Sequence, residues 1–162
     1  MTSPPRTSRQ FAAVRALRAR LGEQAFPPHH VTGEPVAIPV GFTAELPDVG
    51  SERIGIVLNP DETVTEWKRV SPAGRDEQFT AEVWVTTNLP GQDDVAVFDR
   101  LEQLSDVVQL CVYDPVTQAV LPLGFDGEVQ TARVGSHRFV IVGSGDGFVG
   151  QVVVGFQFTT RI

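Results

Sequence analysis

The chain has 162 residues, 41% hydrophobic and 20% charged, which fits one globular domain and argues against disorder along the whole length. Thirteen basic residues stand against 20 acidic ones, and the net charge of −7 argues against a protein that grips duplex DNA by neutralising phosphates. The single cysteine excludes an internal disulfide framework and a cysteine-based zinc site.

Residues 1–7 are rich in Pro, Ser and Thr and predict a mobile tail ahead of a single domain, residues 8–162. No apolar run follows the tail, and no run of about 18 apolar residues occurs anywhere. A soluble protein, intracellular or particle-borne, is therefore expected. Thr7-Ser8-Arg9-Gln10 has the form of a capping box. Phe11, Val14, Leu17 and Leu21 follow at helical spacing, and Gly22 ends the run. Arg6, Arg9, Arg15, Arg18 and Arg20 all precede the first acid, Glu23. The remaining eight basic residues face all 20 acids, a balance of −12. A positive head on a negative body suggests self-assembly or docking on an acidic partner.

Residues 23–51 carry Pro27, Pro28, Pro35, Pro39 and Pro47 and read as an irregular arm, with a short strand around Val36 to Phe42. Arg53 to Leu58 predicts a strand with Ile54, Ile56 and Leu58 on one face. Asn59-Pro60-Asp61-Glu62 has turn chemistry. Thr63 to Val70 and Gln78 to Thr87 predict an antiparallel hairpin joined through Ser71-Pro72-Ala73-Gly74. The second strand alternates Phe79, Ala81, Val83 and Val85 against Gln78, Thr80, Glu82, Trp84 and Thr86. Trp84 thus points to the second sheet face, which a helix or another subunit must cover.

Asp93 or Asp94 caps a second helix, in which Val97, Leu101, Leu104, Val108 and Cys111 recur on one side. Asp114-Pro115 ends it, and Val116 to Leu123 is a short apolar piece. Glu128 to Val134, Arg138 to Val142 and Gln151 to Thr160 predict closing strands. The fold class is α+β: an antiparallel or mixed sheet with two packed helices.

Few features carry chemistry. Gly145-Asp146-Gly147-Phe148-Val149-Gly150 matches G-x-G-x-x-G in letters, but a strand follows it where dinucleotide binding needs a helix. A hairpin turn is the better reading. His29-His30 has no acid or cysteine at ligand spacing. Ser136-His137 lacks a nucleophile elbow. Cys111 reads as a small core residue. No catalytic, metal or cofactor site is predicted, and the chain reads as an assembly or binding module.

The layout of the chain resembles the tail terminator (tail completion) proteins of long-tailed bacteriophages. An Arg-rich first helix leads to a Pro-rich arm and a hairpin ending in Glu77-Gln78-Phe79-Thr80-Ala81-Glu82-Val83-Trp84-Val85. The helix Asp94 to Leu110 and the closing strands follow. The family's usual order is helix, central antiparallel strands, a second helix on the sheet, and closing strands, and the resemblance covers roughly Ser8 to Ile162. It implies a virion protein assembled in the host cytoplasm. Such a protein forms a homo-oligomeric ring, a hexamer in the family, at the head-proximal end of the tail tube. The ring stops tube polymerisation and joins the tail to the head-completion or neck protein. Genomic DNA passes through the lumen without sequence-specific binding, and neither a cofactor nor a membrane is involved. The residues expected at subunit or partner interfaces are Arg15, Arg18, Trp67, Arg69, Arg75 and Trp84. A head–tail connector, a tube subunit and a small-molecule-binding α+β domain are the competing readings.

Overall fold

The structure, a computed structural model, describes residues 10–28, 37–66, 76–114, 116–117, 129–145 and 147–161. Two helices, α1 (Gln10–Glu23) and α2 (Asp94–Leu110), pack on a five-stranded sheet. The strands are β1 (Val40–Gly41), β2 (Ser51–Glu66), β3 (Asp76–Asn88), β4 (Val129–Ser144) and β5 (Gly147–Arg161), in the spatial order β1-β2-β3-β5-β4. The two-residue β1 runs parallel to β2, and all other pairs are antiparallel. The fold is α+β with a mixed sheet.

Register places the apolar sets of the strands in rows. Ile54, Val85 and Val152 are neighbours across β2, β3 and β5, as are Ile56, Val83 and Val154. Phe79 stacks on Phe158 with ring centroids 5.2 Å apart. All of these are buried on one sheet face, together with Ala81, Phe156 and Ala132. Helix α2 packs there against β5, β3 and β4 and buries Val97, Leu101, Leu104 and Val108, as the helical spacing predicts. Helix α1 packs against β1 and β2 and buries Ala13, Val14, Leu17 and Leu21 in the same core. An Arg20 guanidinium N–H donates to the Cys111 carbonyl just past α2, which ties the two helices together.

Several local expectations change. Asn59-Pro60-Asp61-Glu62 is not a turn between strands. It lies inside β2, where the pairing with β3 shifts between Asn59 and Val64, so the extra residues form an irregularity in one long strand. The closing segment is likewise a single strand, β4, with register shifts at Val129/Thr131 and Val134/Ser136. Phe11 is 67% exposed rather than part of the α1 core, and Ala13 takes the inward position. The arm contributes Phe26 and Ile38 to the core, and its predicted strand shrinks to β1. Thr7 lies outside the described residues, as do most of the piece from Val116 to Leu123 and the predicted turn Ser71-Pro72-Ala73-Gly74. The glycine-rich segment is a hairpin: Ser144 pairs with Gly147, so two residues join β4 to β5, and Gly147 has φ +145°. After α2, the Asp114 carboxylate accepts the Thr117 and Val116 amides at 2.8 Å each, which holds its pKa below the usual carboxylate value.

A buried ion pair joins the layers. Arg100 on α2 donates from Nη2 to Glu52 Oε1 at 2.6 Å and from Nε to Oε2 at 2.9 Å. Its Nη1 donates to the Pro27 carbonyl at 2.6 Å and to Gln103 Oε1 at 3.3 Å. Both charged side chains are almost fully buried. Removing one partner of such a pair strands the other charge, at about 3–5 kcal/mol, whereas an apolar pair of similar volume is often neutral. Glu52→Ala should therefore destabilise the fold by about that amount, and the double variant Glu52→Leu/Arg100→Met should recover most of it in denaturant unfolding. Equal losses in both variants would show that geometry rather than the stranded charge sets the cost.

Candidate functional site

Three surfaces bear on function: the uncovered sheet face, the exposed side of α1, and a groove between α2 and β4. The uncovered face follows from the register. Gly55, Trp84, Val153 and Arg138 form one row across β2, β3, β5 and β4, with side-chain positions opposite to the buried rows. Trp84 is half-buried. Its indole N–H donates to Glu82 Oε2 at 2.9 Å, Arg138 donates to the same oxygen at 3.3 Å, and the Arg138 guanidinium lies 5.9 Å from the Trp84 ring centroid. Both described helices pack on the other side, so among the described residues no helix covers Trp84. Val140 and Val142 on β4 are exposed.

One end of this face is covered by the arm. A side chain at Gly55 would collide with the Thr43 carbonyl and meet the Ala44 backbone, so the arm after β1 lies directly over Gly55. Arg53 donates to Thr43 Oγ1 at 3.0 Å and lies 3.5 Å from Glu45, and Asn88 Nδ2 donates to the Pro47 carbonyl at 3.1 Å. These bonds fix the arm against β2 and β3.

Arg15 and Arg18, two of the expected interface residues, are exposed on α1. They share a stripe with Phe11 at spacings of four and three residues. Arg18 donates to the Val40 carbonyl at 3.3 Å and lies 5.1 Å from the centroid of the exposed Phe42 ring. Trp67, Arg69 and Arg75 lie outside the described residues, so the structure does not place them beside Trp84 or the arginines of α1.

The groove between α2 and β4 has a volume of about 380 Å³. Phe98, Leu101, Phe139 and Val152 form its apolar lining, and Glu102, Ser105, Asp106 and His137 its polar part. Phe98 and Phe139 meet edge-on with centroids 5.3 Å apart. Ser105 Oγ lies 2.9 Å from His137 Nε2 and accepts from Gln109 Nε2 at 2.8 Å. A hydroxyl can donate to an imidazole or accept from it, and in either case the contact fastens β4 to α2. The histidine thus meets Ser105 rather than its chain neighbour Ser136, which pairs with Gly155 on the open side. Ser105 sits inside α2, whose interior amides belong to the helix ladder, and its contact with His137 tethers the strand to the helix.

The other chemical candidates also have local roles. Asp93 is the N-cap of α2, accepting the Ala96 amide at 2.8 Å, and Asp94 accepts the Val95 amide at 3.0 Å. His29 and His30 lie outside the described residues. Among the described residues, no group of three His, Cys, Asp or Glu side chains is placed to hold a metal ion, and no helix is long and apolar enough to cross a membrane. Sequence reasoning missed the groove, because its acids and its histidine come from different elements. Its one local signal is Phe98, an aromatic residue beside the apolar stripe of α2 rather than within it.

No family model matches the chain, and no curated protein matches it.

Cys111 is buried at the C-cap of α2, and burial pushes its thiol up to about 12, against a smaller opposing effect of the Arg20 charge. At pH 8 the thiol should resist an aromatic disulfide reagent in the native state and react fully in guanidinium. Complete reaction within the mixing time on native protein would contradict its placement.

Proposed function

We propose that this chain is a tail terminator: a ring-forming virion protein that caps the head-proximal end of a phage tail tube, ends tube growth and presents a surface to the neck. The observation that carries the reading is the order of elements. Helix α1, the antiparallel pair β2–β3, helix α2 on the sheet and the closing pair β4–β5 follow the order usual in that family. The Pro-rich arm between α1 and β2 contributes the two-residue β1 at the β2 edge.

The distribution of surfaces agrees with an assembly role. Two helices cover one sheet face except at the groove beside β4, while the other face keeps Trp84, Arg138, Val140 and Val142 accessible in part or whole. The acidic balance of the body suits a lumen through which DNA slides without adhering, since like charges repel. Complementary surfaces alone perform the work: subunits meet around a closed ring, and the two faces of the ring differ because the subunits all point the same way.

The direct test adds the purified chain, at a few per cent of subunits, to polymerising tail-tube protein of the same particle. Tubes should stop at shorter lengths, with the chain at one end only in labelled negative-stain images. Unchanged tube growth would contradict the reading. Long tubes formed by the chain alone would replace it with that of a tube subunit.

A further inference from the structure

Resting on this ring-forming reading, we propose that the groove between α2 and β4 receives the Phe11–Arg15–Arg18 stripe of α1 from a second copy of the chain. The groove has the composition of a receptor for an amphipathic, cationic helix. Its lining is apolar, with Phe98 43% and Phe139 54% exposed. Its polar margin includes Glu102 and Asp106. Asp94 and Asp99 extend the acidic surface of α2, and the one basic residue of that helix, Arg100, is buried and neutralised by Glu52. Among the described residues, no cation pairs with Asp99, Glu102 or Asp106.

The ligand surface lies on the same chain. From Gln10 to Gly22, α1 contains no acid. Phe11, Arg15 and Arg18 present one large apolar ring and two cations along a single exposed stripe that flanks the buried Ala13, Val14, Leu17 and Leu21. Neither arginine has a carboxylate partner among the described residues. A helix that presents anchors at such spacing to an apolar groove is a recurring mode of recognition. Phe11 supplies the apolar anchor, and Arg15 and Arg18 meet the acids at the groove margin.

The topology prevents a chain from satisfying itself. Helix α1 packs at the β1–β2 edge, whereas the groove lies over β4 at the other edge. Four strand spacings separate the two edges, roughly 19 Å at about 4.8 Å each. The complementary surfaces are different patches at opposite edges of one sheet, so their pairing is head-to-tail, and repetition closes a ring or extends a filament.

The test uses two charge-reversed chains. One carries Arg15→Glu/Arg18→Glu, the other Glu102→Arg/Asp106→Arg; all four positions are exposed, the second chain should melt as the native chain does, and the first should melt slightly lower but still cooperatively, since Arg18→Glu gives up the bond to the Val40 carbonyl. Light scattering should show the native chain assembled and each variant alone weakened by about a hundredfold, because like charges then face each other. An equimolar mixture of the two should assemble again, since each reversed surface meets its complement on the other chain. Phe11→Ser should weaken the native assembly without changing the melting temperature. Either reversed chain assembling as the native one does would overturn the proposal, as would a native chain that stays monomeric or a mixture of folded variants that stays monomeric. If the reversed chains still stop tube growth, this interface is wrong and the terminator reading stands. If assembly follows the predicted pattern while tube growth is unaffected, the interface is right and the terminator reading fails.

Discussion

The buried pair Glu52–Arg100 fixes the geometry on which the rest depends. A carboxylate and a guanidinium held away from water demand full hydrogen bonding, and the fold supplies it from three directions: Glu52 on β2, Gln103 on α2, and the Pro27 carbonyl in the segment after α1. A shift of α2 by one turn would leave both charges buried and unpaired. The helix therefore has one permitted position on the sheet, and Phe98, Glu102 and Asp106, on the turns around Arg100, are carried with it to the β4 side. The Ser105–His137 contact holds the strand to the helix at the same place. The groove is thus a product of polar pairing above an apolar floor.

One-sided burial sets what remains available to partners. Both helices take the face that carries Ile54, Val83, Val85, Val154 and Phe156, so the face with Trp84 is left to its own polar contacts and to the arm. The two outer strands differ. At one edge β1 is only two residues long, and the arm continues from it over Gly55. At the other, β4 runs for 16 residues and is broken by two register shifts, which bend a strand and discourage indiscriminate edge pairing. An edge managed in this way favours association through side chains, which is the mode proposed for the groove and the α1 stripe. The proposed ring therefore needs no strand exchanged between copies.

Much of the architecture was legible in the sequence because its periodicities are strong. The spacing of Val97, Leu101, Leu104 and Val108 predicts both α2 and its buried face, and the alternation from Phe79 to Val85 predicts β3. The N-cap at Asp93 and the hairpin around Gly147 follow from local chemistry alone. Errors arose where tertiary pairing overrode local signals. Asn59-Pro60 has the composition of a turn, yet β3 continues alongside and holds β2 extended through an irregularity. Phe11 fits the α1 pattern by spacing, but Ala13 and Val14 suffice to fill the contact with the sheet, which leaves the larger ring outside. The groove was the least legible feature. Phe98 and Phe139 lie 41 positions apart, and only the order β3-β5-β4 brings them together. Of the expected interface residues, Arg15 and Arg18 are exposed and Trp84 is half-buried on the open face.

The measurement that tests the account most directly is the particle mass of the native chain by light scattering, followed across salt concentration, with negative-stain images of the same samples. The account predicts closed rings of about six subunits at low salt. Their dissociation should follow the screening of the arginine and carboxylate surfaces, as the Debye length falls from about 10 Å at 0.1 M to about 3 Å at 1 M. A monomer at every salt concentration, or an assembly indifferent to salt, would contradict it.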